Sequence, residues 1–147
     1  MKLTDALLGE HGPLYALFDE LERILPTAKS IEVIKTASQM LAAALVTHAK
    51  IEEEMLFPAL ETHIGPMGPL SVMRAEHEEI EAILENLQQT DNMEDAKKMV
   101  LHVLETTRSH FAKEENVLFG LARQSIDHEE MRLLAQRWAD RRHIVIS

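Results

Sequence analysis

Residues that end helices cluster at Gly12-Pro13, at Pro26, in the run Gly65-Pro66-Met67-Gly68-Pro69 and around Thr90-Asp91-Asn92, and they leave long stretches uninterrupted. Within those stretches apolar residues return every three or four positions, the period of a helix with one buried face. The spacing predicts helix A near 12–25, B near 31–61, C near 69–89 and D near 93–124. Ser30 can cap B, Asn92 can cap D, and Pro69 suits the first turn of C. A further segment, 128–142, opens on Asp127 with Glu130 three residues later and carries Met131, Leu134 and Trp138 on one stripe. Short connections make neighbouring helices antiparallel. The expected fold is therefore all-α: an up-down-up-down four-helix bundle over 1–126, with an additional short C-terminal helix and tail, 127–147, packed on its outside.

A chain of 147 residues, 46% hydrophobic, is one domain by size and can bury a core without staples. It has no cysteine, which excludes disulfides, thiolate metal sites, iron–sulfur ligation and thiol nucleophiles. Any metal must sit on nitrogen and oxygen. A formal charge of −10 argues against a nucleic-acid groove, which needs clustered Lys and Arg. Only Arg132, Arg137, Arg141 and Arg142 make a basic region. The first ten residues acquire acids early, and no apolar run approaches bilayer length, so a soluble, cytoplasmic protein without a membrane segment is expected.

The chain repeats itself. Glu10-His11 is followed by apolar residues three, six, seven and ten positions on, and so is Glu76-His77. Likewise His48-x-x-x-Glu52-Glu53 with Leu56-Phe57 mirrors His110-x-x-x-Glu114-Glu115 with Leu118-Phe119. Two similar hairpins, A–B and C–D, would bring two half-sites together.

On helix B, Leu41, Ala44, Leu45, Met55 and Ala59 fall within about 60° of His48, and Glu52 lies about 40° away. On helix D, Met99, Val103, Val117 and Leu121 lie within about 20° of His110, and Glu114 again at about 40°. A single His-x-x-x-Glu is commonly a surface i,i+4 pair, but two core-facing copies in register with further helical histidines are a different matter. A carboxylate in an apolar stripe costs several kcal/mol unless paired, protonated or metal-bound, and neither core stripe carries a Lys or Arg. His11 and His77 flank their own stripes by about 70°, where a ligand can reach a neighbouring helix.

Six candidate metal ligands result: His11, His48, Glu52, His77, His110 and Glu114. They are too many for one tetrahedral zinc, and their spread over four helices suits two metals joined by bridging carboxylates. Mixed N/O ligation with room for an exogenous ligand favours iron, two ions of it, with manganese and zinc as alternatives. Glu53 and Glu115, about 140° from their histidines, are expected to be solvated or to hold ligands from behind. Tyr15 and Glu81, each four residues after a site histidine, are the candidates to line or complete the pocket, although a boundary aromatic and a solvated acid are the more ordinary readings of them. His63, His102, His128 and His143 are left outside the site.

These motifs, Glu10-His11, His48-x-x-x-Glu52-Glu53 with Leu56-Phe57-Pro58, Glu76-His77-Glu78-Glu79 and His110-x-x-x-Glu114-Glu115-Asn116-Val117-Leu118-Phe119, resemble those of the hemerythrin family. The likeness is to its stand-alone bacterial HHE cation-binding members and runs from about Leu3 to Arg123. It implies a non-haem di-iron centre with histidines from four helices, bridged by Glu52 and Glu114, that binds or reacts with O2, nitric oxide or peroxide. The oxygen carriers of the family have a further histidine one turn before His77, where this chain has Met73. A thioether is a poor ligand among N and O donors, which points away from simple O2 carriage. Redox activity toward small oxidants is one expectation; the alternative is an iron- or oxygen-responsive sensor or binding module without turnover. No flavin or nicotinamide fingerprint identifies an electron donor.

Overall fold

The computed structural model describes residues 1–147 and is all-helical. Helix α1 is Leu3–Ile24, closed by a 3-10 turn, Leu25–Thr27. Helix α2 runs without a break from Ile31–Ile51 through a π-helical turn, Glu52–Leu56, into Phe57–Ile64. Helix α3 is Pro69–Gln89. Helix α4 has the same composite build as α2: Met93–Lys113, a π turn at Glu114–Leu118, then Phe119–Ser125. Helix α5 is His128–Arg142.

The caps follow side-chain chemistry. Val33 donates its backbone N–H to Ser30 Oγ, Asp95 to Asn92 Oδ1 and Glu130 to Asp127 Oδ1. Between α2 and α3 the chain turns on Gly65 and Gly68, whose φ angles of 79° and 71° suit only glycine without strain.

The expected break at Gly12-Pro13 is absent, and α1 begins at Leu3 instead of near residue 12. Pro13 lies inside the helix. Its missing N–H deprives the Gly9 carbonyl of a partner, but Gly9, Gly12 and Pro13 are all exposed, so that carbonyl is open to solvent and the helix continues through the proline. His11 consequently sits mid-helix, with its direction fixed by regular structure on both sides.

The phase of the buried stripes also differs from a uniform helix. Each π turn inserts one residue, rotating everything after it by roughly 100°. In α4 the stripe therefore passes to Leu118 and Ala122, and Val117, expected inside, is 59% exposed. In α2 the corresponding shift buries Leu60, while Ala59 is only half-buried.

Helix α1 packs on α2 and α4, α3 packs on α2 and α4, and α5 lies along α1. The interior is two apolar clusters. One gathers Leu3, Leu7, Leu56, Phe57, Leu70 and Phe119 with Met131, Leu134 and Trp138 of α5. The other gathers Phe18, Leu21, Ile34, Leu41, Leu87 and Val100 at the far end. No helix is long and apolar enough to cross a membrane.

Candidate metal centre

Between the two clusters lies a polar interior. His11 from α1, His48 from α2, His77 from α3 and His110 from α4 are all buried, and Glu52 and Glu114 are fully inaccessible. Each carboxylate is the first residue of a π turn, a feature that recurs at functional sites because it re-aims side chains within a helix. All six residues singled out by spacing are thus brought together.

The imidazoles converge through Nε2. His77 Nε2 is 3.0 Å from Glu52 Oε1, His48 Nε2 3.5 Å from Glu52 Oε2, and His11 Nε2 3.2 Å from Glu114 Oε1. His110 Nε2 lies 3.7 Å from an oxygen of each glutamate and 3.0 Å from His77 Nε2. The donors form two groups, His11, His48, Glu52 and Glu114 in one and Glu52, His77 and His110 in the other, so Glu52 belongs to both.

What sets the tautomers is a ring of four outer carboxylates, each from the neighbouring helix. Nδ1 of His11 donates to Glu115 (2.8 Å), that of His48 to Glu10 (2.9 Å), that of His77 to Glu53 (2.7 Å) and that of His110 to Glu76 (3.1 Å). Since an ionised carboxylate only accepts, the hydrogen belongs on Nδ1 and a neutral ring turns its Nε2 lone pair inward. The ring closes on itself: α1 leans on α4, α4 on α3, α3 on α2 and α2 on α1. Glu53 and Glu115 thus back ligands, the second of the two roles expected for them.

Each outer glutamate is held in turn. Tyr15 donates its hydroxyl to Glu115 at 2.7 Å and Lys113 bonds Glu76 at 2.7 Å. The Arg74 guanidinium stands 4.0 Å from Glu53. Trp138 and Arg142 of α5 both donate to Glu10, at 2.8 and 2.7 Å. Tyr15 is therefore a support for the site, not only a boundary aromatic. Phe111 stacks on the His11 ring, centroids 3.8 Å apart and planes within 5°.

The electrostatics describe a site short of positive charge. Burial pushes the Glu114 carboxyl well above its usual range, reinforced by the negative charge of Glu52. Burial also opposes the charge on Glu52, but the neighbouring Glu114 carboxyl and the charge of His48 outweigh it and hold Glu52 well below the ordinary value. Burial works against protonated His48 too, yet the charge of Glu52 and the bond to Glu10 raise it to about 9. Burial lowers His11.

The donor set fits a cation. His11 Nε2, His48 Nε2 and all four oxygens of Glu52 and Glu114 are buried without a hydrogen-bond partner. Orphaned groups of this kind are rare in protein interiors and costly. Donor separations of 3.0–3.7 Å are the edges of a coordination polyhedron with bonds of about 2.1 Å.

A cavity of about 30 Å³ abuts His48, Glu52, His77 and His110 and is otherwise walled by Leu45, Val46, Ile80, Leu84 and Phe111, with exposed Glu81 at its edge. Val46, Glu81 and Leu84 also line the surface groove outside it. Met73, one turn before His77, is buried but contributes to a different pocket, beside Pro69 and Leu118. His63, His102, His128 and His143 are exposed.

The supports Glu10 and Glu76, the Phe111 stack and the bonds from α5 were not singled out by sequence spacing. Their one signal was position: each outer glutamate is the sequence neighbour of a candidate ligand, twice as Glu-His and twice as Glu-Glu.

A family model described as hemerythrin HHE cation binding domain matches residues 2–122. Over 140 residues the chain is 24% identical to a DNA nickase of Nostoc sp., covering 95% of this chain and 37% of that protein. It is 33% identical, over 96 aligned residues, to the iron-sulfur cluster repair protein YtfE of Escherichia coli, covering 56% of this chain and 44% of the relative. The chain thus spans less than half the length of these relatives. No solved structure matches it.

Proposed function

The chain belongs to the hemerythrin family of HHE cation-binding domains, and from that premise we propose that it is a non-haem di-iron protein whose centre takes O2, nitric oxide or peroxide. Its ligands are His11, His48, His77, His110, Glu52 and Glu114, with the two glutamates as bridges. Two iron ions there would supply binding and electron transfer toward those small molecules. The fold that carries them is an up-down-up-down bundle over 1–126, to which 127–147 adds a helix.

The observation that carries this reading is the set of partnerless buried donors beside a diatomic-sized cavity. A cavity needs roughly 10–15 Å³ to hold one water, so about 30 Å³ admits one or two small molecules and little else. Its apolar walls favour an uncharged guest and keep bulk water from the carboxylates. The four histidine rings, locked by their outer glutamates, meet the site with Nε2 already turned inward, so little movement of the side chains accompanies loading.

Asymmetry of the donors supports reaction over stable carriage. Glu52, His77 and His110 form the smaller group, and Met73 packs elsewhere. The test is anaerobic loading with Fe(II), metal analysis, and optical spectra before and after O2, nitric oxide and peroxide. About two irons per chain are expected, as bundle sites of this ligand count hold, with new charge-transfer absorption on exposure. A fully loaded sample whose spectrum ignores all three reagents would overturn the reading.

A further inference from the structure

Among the four outer glutamates, Glu10 is held differently. The partners of Glu53, Glu76 and Glu115 are Arg74, Lys113 and Tyr15, on the helices that themselves carry ligands. The partners of Glu10 come from α5, beyond the residues matched by the family model. Trp138 Nε1 donates to Glu10 Oε2 at 2.8 Å, and Arg142 grips both oxygens, Nε to Oε2 at 2.7 Å and Nη2 to Oε1 at 3.1 Å. Arg142 Nη2 also reaches the Thr47 carbonyl at 3.0 Å, one residue before His48. The same Glu10 Oε1 accepts from His48 Nδ1. A continuous chain of hydrogen bonds therefore runs from α5 through Glu10 to a ligand ring. Beside it a surface groove between α1 and α2 is lined by Glu10, Pro13, Thr47, His48 and Arg142, so loss of the Arg142 grip opens Glu10 and His48 to water.

We infer that Trp138 and Arg142 are positioning residues for the metal centre: by fixing Glu10 they fix the His48 imidazole, so that docking of α5 and metal binding at His48 favour one another. The inference rests on the di-iron reading for the metal and on hydrogen bonds alone for the positioning. Partners behind a metal-bound histidine orient the ring, and their removal typically lowers metal affinity 10–100-fold. Coupling of this kind is reciprocal, so metal must tighten α5 as much as α5 tightens metal. Helix α5 would then report occupancy of the centre at the molecular surface.

The experiment uses the 147-residue chain and the variants Trp138→Phe, which keeps an aromatic ring in the core while removing the indole N–H and the second ring, and Arg142→Gln, in the last turn of α5. Arg132→Gln is the control, since Arg132 pairs only with Glu129 of its own helix. In metal-free protein, nitrogen-edited NMR of the histidine side chains should show the His48 Nδ1–H signal shifted or exchange-broadened in both variants. The signals of His11, His77 and His110 should stay in place. Chelator competition should show Fe(II) affinity reduced about ten-fold in both variants and unchanged in Arg132→Gln. Fe(II) should slow amide exchange across 128–142 in the parent protein, and less in the variants. Folded variants with an undisturbed His48 signal and parental Fe(II) affinity would overturn the inference. Parental protein that bound no iron would overturn the di-iron reading instead, and the NMR comparison, made without metal, would still decide the positioning.

Discussion

Glu114 and His48 both favour the protonated form that a metal must displace. Burial and the charge of Glu52 push the Glu114 carboxyl well above its usual range, and His48, with its value near 9, is protonated at neutral pH. A metal binds neutral imidazole and ionised carboxylate, so loading at pH 7 releases the His48 proton and whatever Glu114 and His77, both shifted upward, still hold. Since the raised values belong to the metal-free form, affinity falls as solutions are acidified, and the part that His48 contributes rises with pH up to about 9. Loading in weakly buffered solution with an indicator dye should show that release, and loading without it would contradict the assigned protonation. The six inner residues were legible from sequence because each shares a helical face with apolar neighbours, a relation within one helix. Of the outer glutamates, Glu53 and Glu115 were left between a solvated and a supporting role and Glu10 and Glu76 had no role assigned, because all four act across helix boundaries, on partners that a single-helix projection does not contain.

Among the elements, every helix after the first was read nearly to its ends, since capping chemistry at Ser30, Asn92 and Asp127 is local. What escaped was the π turn, whose hydrogen-bond shift leaves no mark in residue type. It makes a sharp prediction. Val117→Gln should change stability by less than about 0.5 kcal/mol, as surface substitutions do. Leu118→Ala should cost about 2–5 kcal/mol, as core truncations do. A uniform α-helix predicts the reverse order, so urea denaturation of the two variants discriminates between the registers. Pro13 escaped for a related reason: its rule concerns an average helix, whereas here the orphaned carbonyl faces water. Pro13→Ala restores the missing backbone bond but frees the unfolded chain, terms of about 3 and 0.4–1 kcal/mol. A net gain of about 2–2.6 kcal/mol in thermal or urea unfolding is expected; a loss would mean that α1 needs the local bend.

Across the whole molecule, the buried donors divide the hydrophobic interior, with the cluster holding Leu56, Phe57 and Trp138 on one side and that holding Phe18, Leu41 and Val100 on the other. Without a cation this middle layer is a liability, because six partnerless donor atoms sit among apolar side chains. With one, the same layer ties all four long helices together. Stability should therefore depend on metal more steeply than in a protein with a peripheral site. At free Fe(II) one hundred times its dissociation constant, linkage adds about 2.7 kcal/mol for a single site. In a domain near this size that corresponds to a rise in Tm of roughly 5–11 °C. Replacing both carboxylates, Glu52→Met with Glu114→Met, separates the two roles. Buried charges exchanged for apolar groups of similar volume are commonly neutral or stabilising, so the metal-free double variant should melt at or above the metal-free parent. Its Tm should no longer respond to iron. Anaerobic calorimetry of both proteins, with and without Fe(II), makes the comparison. A parent insensitive to iron, or a double variant that melts far below the metal-free parent, would mean that the carboxylates serve the fold and not a metal.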